Sequence, residues 1–244
     1  MTKHENLAAI FNLGRVIESD SLNPYLHIAY KLKLNNYRVI TNGELLINGK
    51  DLDVPAYMKE FLQFHQKALM IANIIDDKIM SIVLRSIDTK KEFQKIGVSK
   101  NMFYGLGQLD ENFRFGMPII LVEGHLDRDT MSEFYKNVLA VTTNKISNTQ
   151  TEILKSLTNN FILMLDNDDA GRAGTRDAYY KLKGCKITEI KHLANMKDAG
   201  DLNKLEISNK DEYDWVVMQY KNQIEQEVFY SWHLQYTLKI LIYM

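Results

Sequence analysis

Five apolar residues, Phe161-Ile162-Leu163-Met164-Leu165, run directly into Asp166-Asn167-Asp168-Asp169-Ala170-Gly171. No other stretch restricts the fold so much. A continuous apolar run of this length, bounded by acids and glycine, reads as a strand buried on both faces. Side chains alternate along a strand, so Asp166 and Asp168 are expected on one side of the chain. Two such carboxylates repel unless a cation lies between them, and Mg²⁺ is a hard, oxygen-seeking ion suited to that place.

The surrounding pattern extends this strand into a sheet. From Pro118 onward, apolar strands and helices alternate. Strands are expected at Ile119–Val122, Val138–Val141, Phe161–Leu165 and Ile187–His192, with helices at 127–137, 148–158 and Ala170–Leu182. Such alternation indicates an α/β fold with a parallel sheet covered on both faces. Strand 119–122 runs into Glu123-Gly124-His125-Leu126-Asp127, and strand 187–193 is followed by Lys197-Asp198-Ala199-Gly200-Asp201. Functional groups of open α/β sheets gather beyond the carboxyl ends of the strands. Three strand ends thus deliver acids to one edge. A single acidic strand end is ordinary helix capping; three on one edge are not.

The N-terminal part reads as a smaller α+β subdomain. Residues 1–35 have helical spacing with a break at Pro24. Asn42-Gly43 between Tyr37-Arg38-Val39-Ile40 and Leu45-Leu46-Ile47 predicts a hairpin. Residues 55–72 read as an amphipathic helix opened by Pro55. Residues 73–87 read as a second hairpin, 88–117 as irregular, and 211–244 as helical. The expected division is 1–115, 116–205 and 206–244.

Composition excludes several classes. One cysteine, Cys185, rules out a disulfide framework and any zinc site built on several cysteines. No run of about 18 apolar residues is present, and the N-terminus lacks a signal-peptide layout, so a cytoplasmic protein with no membrane partner is expected. Net charge is −1, which is not that of a dedicated duplex binder. Between Arg85 and Lys100, however, five basic residues face two acidic ones. A solvated surface is the ordinary meaning of such a run.

The order Glu123-Gly124-x-x-Asp127, then a turn and Gln150 in a helix, then Asp166-x-Asp168-x-Ala170-Gly171 resembles the Toprim domain of DnaG-type primases of bacteria and phages. Lys197-Asp198 resembles that family's Lys-Asp-Pro-Asp, without the proline. Lys91-Glu92-Phe93 and Lys100 to Tyr104-Gly105-Leu106 resemble its upstream segments. The resemblance covers roughly residues 73–202. It implies a Toprim-type fold preceded by a smaller α+β subdomain, and a primase making short RNA primers on single-stranded DNA from NTPs. It implies Glu123, Asp166 and Asp168 as catalytic residues, with Glu123 as general base. It implies a Mg²⁺ or Mn²⁺ site from Glu123, Asp127, Asp166, Asp168 and Asp198, with no zinc. Arg85, Lys91, Lys100 and Asn144 would meet nucleotide or backbone phosphates.

Departures accompany it. The family's usual N-terminal zinc module cannot be built from one cysteine, so a separate template-recognition protein or a replicative helicase is an expected partner. The missing modules suggest a viral or mobile-element primase acting in a host cytoplasm. Thr142-Thr143-Asn144 stands where the family has Leu-Gly-Thr, with Thr143 in the glycine's place. His125 replaces an aromatic tyrosine and is expected to pack or cap. The alternatives are a Toprim nuclease or phosphotransferase acting on nucleic acid, and a non-catalytic replisome accessory protein. A haloacid-dehalogenase-like phosphatase ranks low, because Glu123-Gly124-x-x-Asp127 would go unexplained.

Overall fold

The computed structural model describes residues 1–19, 23–87, 93–97, 101–143, 145–193 and 195–243. The chain divides into two compact units, Met1–Lys100 and Asn101–Met244.

The first unit is an antiparallel sheet with helices. Its elements are α1 (Lys3–Asn12), α2 (Pro24–Lys31), β1 (Tyr37–Thr41), α3 (Asn42–Asn48), α4 (Ala56–His65), β2 (Lys67–Ile75), β3 (Lys78–Ser86) and β4 (Phe93–Gly97). The strands lie in sequence order, all antiparallel. The β2–β3 hairpin is the one expected over 73–87, with β2 starting earlier. Asp76 and Asp77 both have positive φ (49° and 58°), as a two-residue primed hairpin turn requires.

Three expectations fail in this unit. The hairpin predicted around Asn42-Gly43 is a strand followed by a helix. Thr41 accepts from the Glu44 N–H, and the Glu44 carboxylate accepts from the Thr41 N–H at 2.6 Å. This reciprocal cap outcompetes the Asn-Gly turn signal. The helix predicted over 55–72 stops at His65, and Lys67–Ile75 is a strand. Gln66 has φ 59°, which ends the helix. The Ala68–Ala72 segment is almost wholly buried in one of the two inner strands. Helix and buried strand are hard to tell apart in a short apolar run. β4 also lies within the 88–117 stretch expected to be irregular.

The second unit is the predicted α/β layer. Its elements are β5 (Ile119–Val122), α5 (His125–Met131), β6 (Val138–Ala140), α6 (Asn148–Leu157), β7 (Asn160–Leu163), α7 (Asp169–Lys181), β8 (Lys186–Glu189), α8 (Asp201–Ser208) and α9 (Lys210–Tyr243). The sheet order is β6-β5-β7-β8, every pair parallel. β5 and β7 are the central strands, and their residues from Ile119 to Val122 and Phe161 to Leu163 are fully buried. Burying side chains of this kind stabilises a fold by about 1.5–3 kcal/mol each. One sheet face packs Ile119, Leu121, Leu139, Phe161 and Leu163 with Leu154 of α6, Ala178 of α7 and Leu182 just after it.

Boundaries differ by a few residues from those expected. α5 begins at His125 and ends at Met131, where 127–137 was predicted. It starts early because the Asp127 carboxylate accepts the Gly124 N–H at 2.8 Å. β7 ends at Leu163, so Asp166 and Asp168 follow the strand through a loop and do not lie on it. Residues 101–115 pack with the second unit through Phe103 and Tyr104, which are buried there. Among the described residues no helix is long and apolar enough to cross a membrane.

Candidate active site

β5 and β7 are adjacent, and their connections leave toward opposite sides of the sheet. In open parallel sheets a crevice forms outside the strand ends at such a point. Glu123 follows β5 by one residue, and Asp166 follows β7 by three. The Asp166 N–H donates to Glu123 Oε1 at 3.3 Å, joining the two strand ends.

The loop after β7 is shaped by its glycine and its second aspartate. Asp168 is the N-cap of α7; its Oδ1 accepts the Gly171 N–H at 2.9 Å. A Cβ on Gly171 would overlap the Asp166 carbonyl, so only glycine permits this close approach. The Asn167 N–H donates to the Lys197 carbonyl at 2.6 Å. Lys197 Nζ then lies 2.9 Å from Asp166 Oδ2 and 3.1 Å from Asp168 Oδ2. The two acids do face one side, as expected, although the loop and its helix cap bring this about where strand alternation was predicted to.

Asp127 is held by the backbone on both sides. Its Oδ2 accepts the Gly124 N–H, and its Oδ1 accepts the Gly200 N–H, both at 2.8 Å. A buried carboxylate thereby ties the start of α5 to the 198–201 loop. A Cβ on Gly124 would sit 2.6 Å from that Oδ2. Asp198 Oδ1 accepts the Asp201 N–H at 3.0 Å, and Asp201 Oδ2 accepts the Lys197 N–H at 2.8 Å.

The electrostatics separate the acids. Burial, reinforced by Asp166 and Asp168, pushes Glu123 up to about 7. Burial with Asp198 and Asp166 nearby pushes Asp127 up to about 8, against the pull of its two backbone donors. Asp198 is raised by burial and by Asp201. Asp168 is lowered, chiefly by the Gly171 N–H and also by Lys197. Lys197 is held protonated, first by its hydrogen bond to Asp166. Divergent environments around paired carboxyls are the usual basis for dividing acid and base roles.

The donor set suits a hard divalent cation, being carboxylate oxygen throughout. Among the described residues, no group of three or more His, Cys, Asp or Glu side chains is arranged to hold a metal ion.

Of the remaining predicted residues, Arg85 belongs to the first unit and three are outside the described residues. Arg85, in β3 of the first unit, sets its guanidinium 4.4 Å from the Tyr25 ring centroid, a cation–π contact. Lys91, Lys100 and Asn144 lie outside the described residues. His125 packs its ring on Tyr104 at 4.5 Å between centroids, in line with a packing role. Tyr104 also donates to Asp129 at 2.7 Å, and Asp129 pairs with Arg128 at 2.9 Å, all buried. The Tyr-Gly-Leu segment is therefore bolted to the helix that follows Glu123.

Sequence reasoning missed two features. Lys197 was read only as part of a motif, and its ion pairs depend on a loop returning thirty residues later. The left-handed residue after β6 is Thr142, with φ 57°, one position before the Thr143 expected in the glycine's place. Its N–H donates to the Glu123 carbonyl at 2.9 Å, which holds this uncommon conformation beside the catalytic candidate.

Residues 120–205 match the family model described as Toprim-like. The structure of the Aquifex aeolicus primase, comprising its zinc-binding and RNA polymerase domains, aligns with a TM-score of 0.62 at 16% identity. That match covers 90% of this chain and 62% of the Aquifex chain, so this chain spans less than two thirds of it. The RNA polymerase domain of Mycobacterium tuberculosis primase DnaG, in complex with double-stranded DNA, aligns at 0.61 with 15% identity, covering 88% and 80% of the two chains. A DnaG primase catalytic domain bound to single-stranded DNA aligns at 0.58 with 12% identity, covering 89% and 78%. None of the curated proteins matches the chain. Over residues 120–205 the second unit thus has a Toprim-like α/β fold. With the antiparallel unit before it, the chain has the fold of a DnaG-type primase catalytic core.

Proposed function

We propose that the protein is a primase-like nucleotidyltransferase that joins ribonucleotides on a single-stranded DNA template. The observation that carries this reading is the meeting of Glu123 with Asp166, Asp168 and Lys197 beyond β5 and β7. Asp166 and Asp168 would hold the divalent cation, Mg²⁺ or Mn²⁺, with support from Glu123 and Asp198. When bound, that cation supplies neutralisation of the charge that develops on the phosphate oxygens. Asp127, with both oxygens engaged by backbone N–H groups, acts as the positioning residue of the acid cluster.

Glu123 is suited to accept a proton from the attacking 3′-hydroxyl, because its carboxyl is held near 7 and a base is most effective close to working pH. Asp168, held below its usual range, stays ionised throughout. Arg85, Lys91, Lys100 and Asn144 are proposed to meet phosphates of the nucleotide or the strand. A helicase or template-recognition partner remains part of this proposal, as does action in a phage or other mobile element.

Incubation with single-stranded template, labelled NTPs and Mg²⁺ or Mn²⁺ tests the reading. Labelled oligoribonucleotides support it. Cleavage of the DNA under the same conditions replaces it with a Toprim nuclease, and strand binding with neither product replaces it with an accessory role.

A further inference from the structure

Lys197 sits among the acids, and the proposed reaction gives it no role. Its ammonium bridges both members of the aspartate pair, at 2.9 Å and 3.1 Å. Its backbone is fixed independently: the carbonyl accepts the Asn167 N–H and the N–H donates to Asp201. The side chain is 55% exposed while Asp166 is 13% exposed. The ammonium therefore reaches in from solvent to a largely buried carboxylate, from a backbone that need not move for it to leave.

An ammonium and a divalent cation cannot share one pair of carboxylate oxygens. Each carries positive charge, and at contact distance their repulsion is large in a partly dehydrated site. The ammonium is a compact point charge on a flexible stem, so it leaves readily. We propose that Lys197 is a built-in counter-cation of the Asp166–Asp168 pair, seated where the divalent cation binds and displaced when it arrives. The inference rests on the reading of that pair as a cation site. Lys197 neutralises the pair in the metal-free protein and lowers its affinity for metal, so that only a divalent ion in sufficient concentration takes the seat.

The test is metal binding, with no activity readout. Mn²⁺ affinity is measured by calorimetry for the wild type, Lys197→Met and Lys197→Arg. Lys197→Met is expected to bind about tenfold more tightly, equivalent to about 1.4 kcal/mol, and Lys197→Arg no more tightly than the wild type. In parallel, reductive methylation of the wild type is followed by mass spectrometry of the Lys197 peptide. Its rate should rise on adding Mg²⁺, as the amine is freed from two carboxylates. Equal or weaker Mn²⁺ binding by Lys197→Met overturns the inference, as does a Lys197 methylation rate that Mg²⁺ leaves unchanged or lowers. Absence of Mn²⁺ binding in all three proteins also overturns it. The reading of the pair as a cation site fails separately, if Asp166→Ala/Asp168→Ala binds Mn²⁺ as well as the wild type does.

Discussion

Glu123 and Asp168 are both carboxyls, yet their surroundings drive them in opposite directions. Glu123 is raised from an ordinary 4.5 to about 7, first by burial. A raised acid keeps its proton longer in the folded state than in the unfolded one. Acid between pH 7 and 4.5 therefore stabilises the fold through this group, and that contribution is lost as pH rises through the same window. In chelator, the melting temperature should fall as pH rises from about 4.5 to 7. Glu123→Gln should flatten part of that slope, and identical slopes in the two proteins would sink the assignment. None of this was visible in the sequence beyond the acid itself. The strand-end pattern located Glu123; its burial and its contact with the Asp166 N–H belong to the fold.

Elements show why the site tolerates so little change. Gly171, in the first turn of α7, lets that helix start directly over the Asp166 carbonyl. Gly171→Ala should cost about 1–3 kcal/mol from the forced shift, measured by denaturant unfolding, and should impair activity by moving Asp166. Unchanged stability would show that the loop absorbs a methyl group freely. On the segment before β5, Tyr104→Phe removes a buried hydrogen bond to Asp129 and should cost about 1–3 kcal/mol. A loss well below that would deny Tyr104 its anchoring role. The parallel-sheet elements were legible because buried strands and capped helices alternate at short intervals after Pro118. Their ends were less so: α5 starts at a carboxylate that caps backward, and β7 stops before the acids. In the first unit the Thr41–Glu44 cap outweighed an Asn-Gly turn. The apolar run 68–72 satisfied helix and strand spacing alike, and only its pairing with β1 and β3 decides between them.

At the scale of the whole molecule, the parallel-sheet unit brings residues far apart in sequence to one edge. Glu123, Asp166 and Lys197 meet because β5 and β7 are neighbours and Lys197 packs against the loop that follows β7. The Asp166-x-Asp168 motif announced an acid pair at a sheet edge; the ion between the acids, Lys197, depends on that return. Whether this constellation makes RNA is decided most directly by one comparison. Wild type and Asp168→Ala are incubated with single-stranded DNA, labelled NTPs and Mg²⁺, circular dichroism having shown that both are folded. The account predicts labelled oligoribonucleotides from the wild type and at least about a hundredfold less from Asp168→Ala, a loss equivalent to about 2.7 kcal/mol in the barrier. Equal product from the two folded proteins would contradict it.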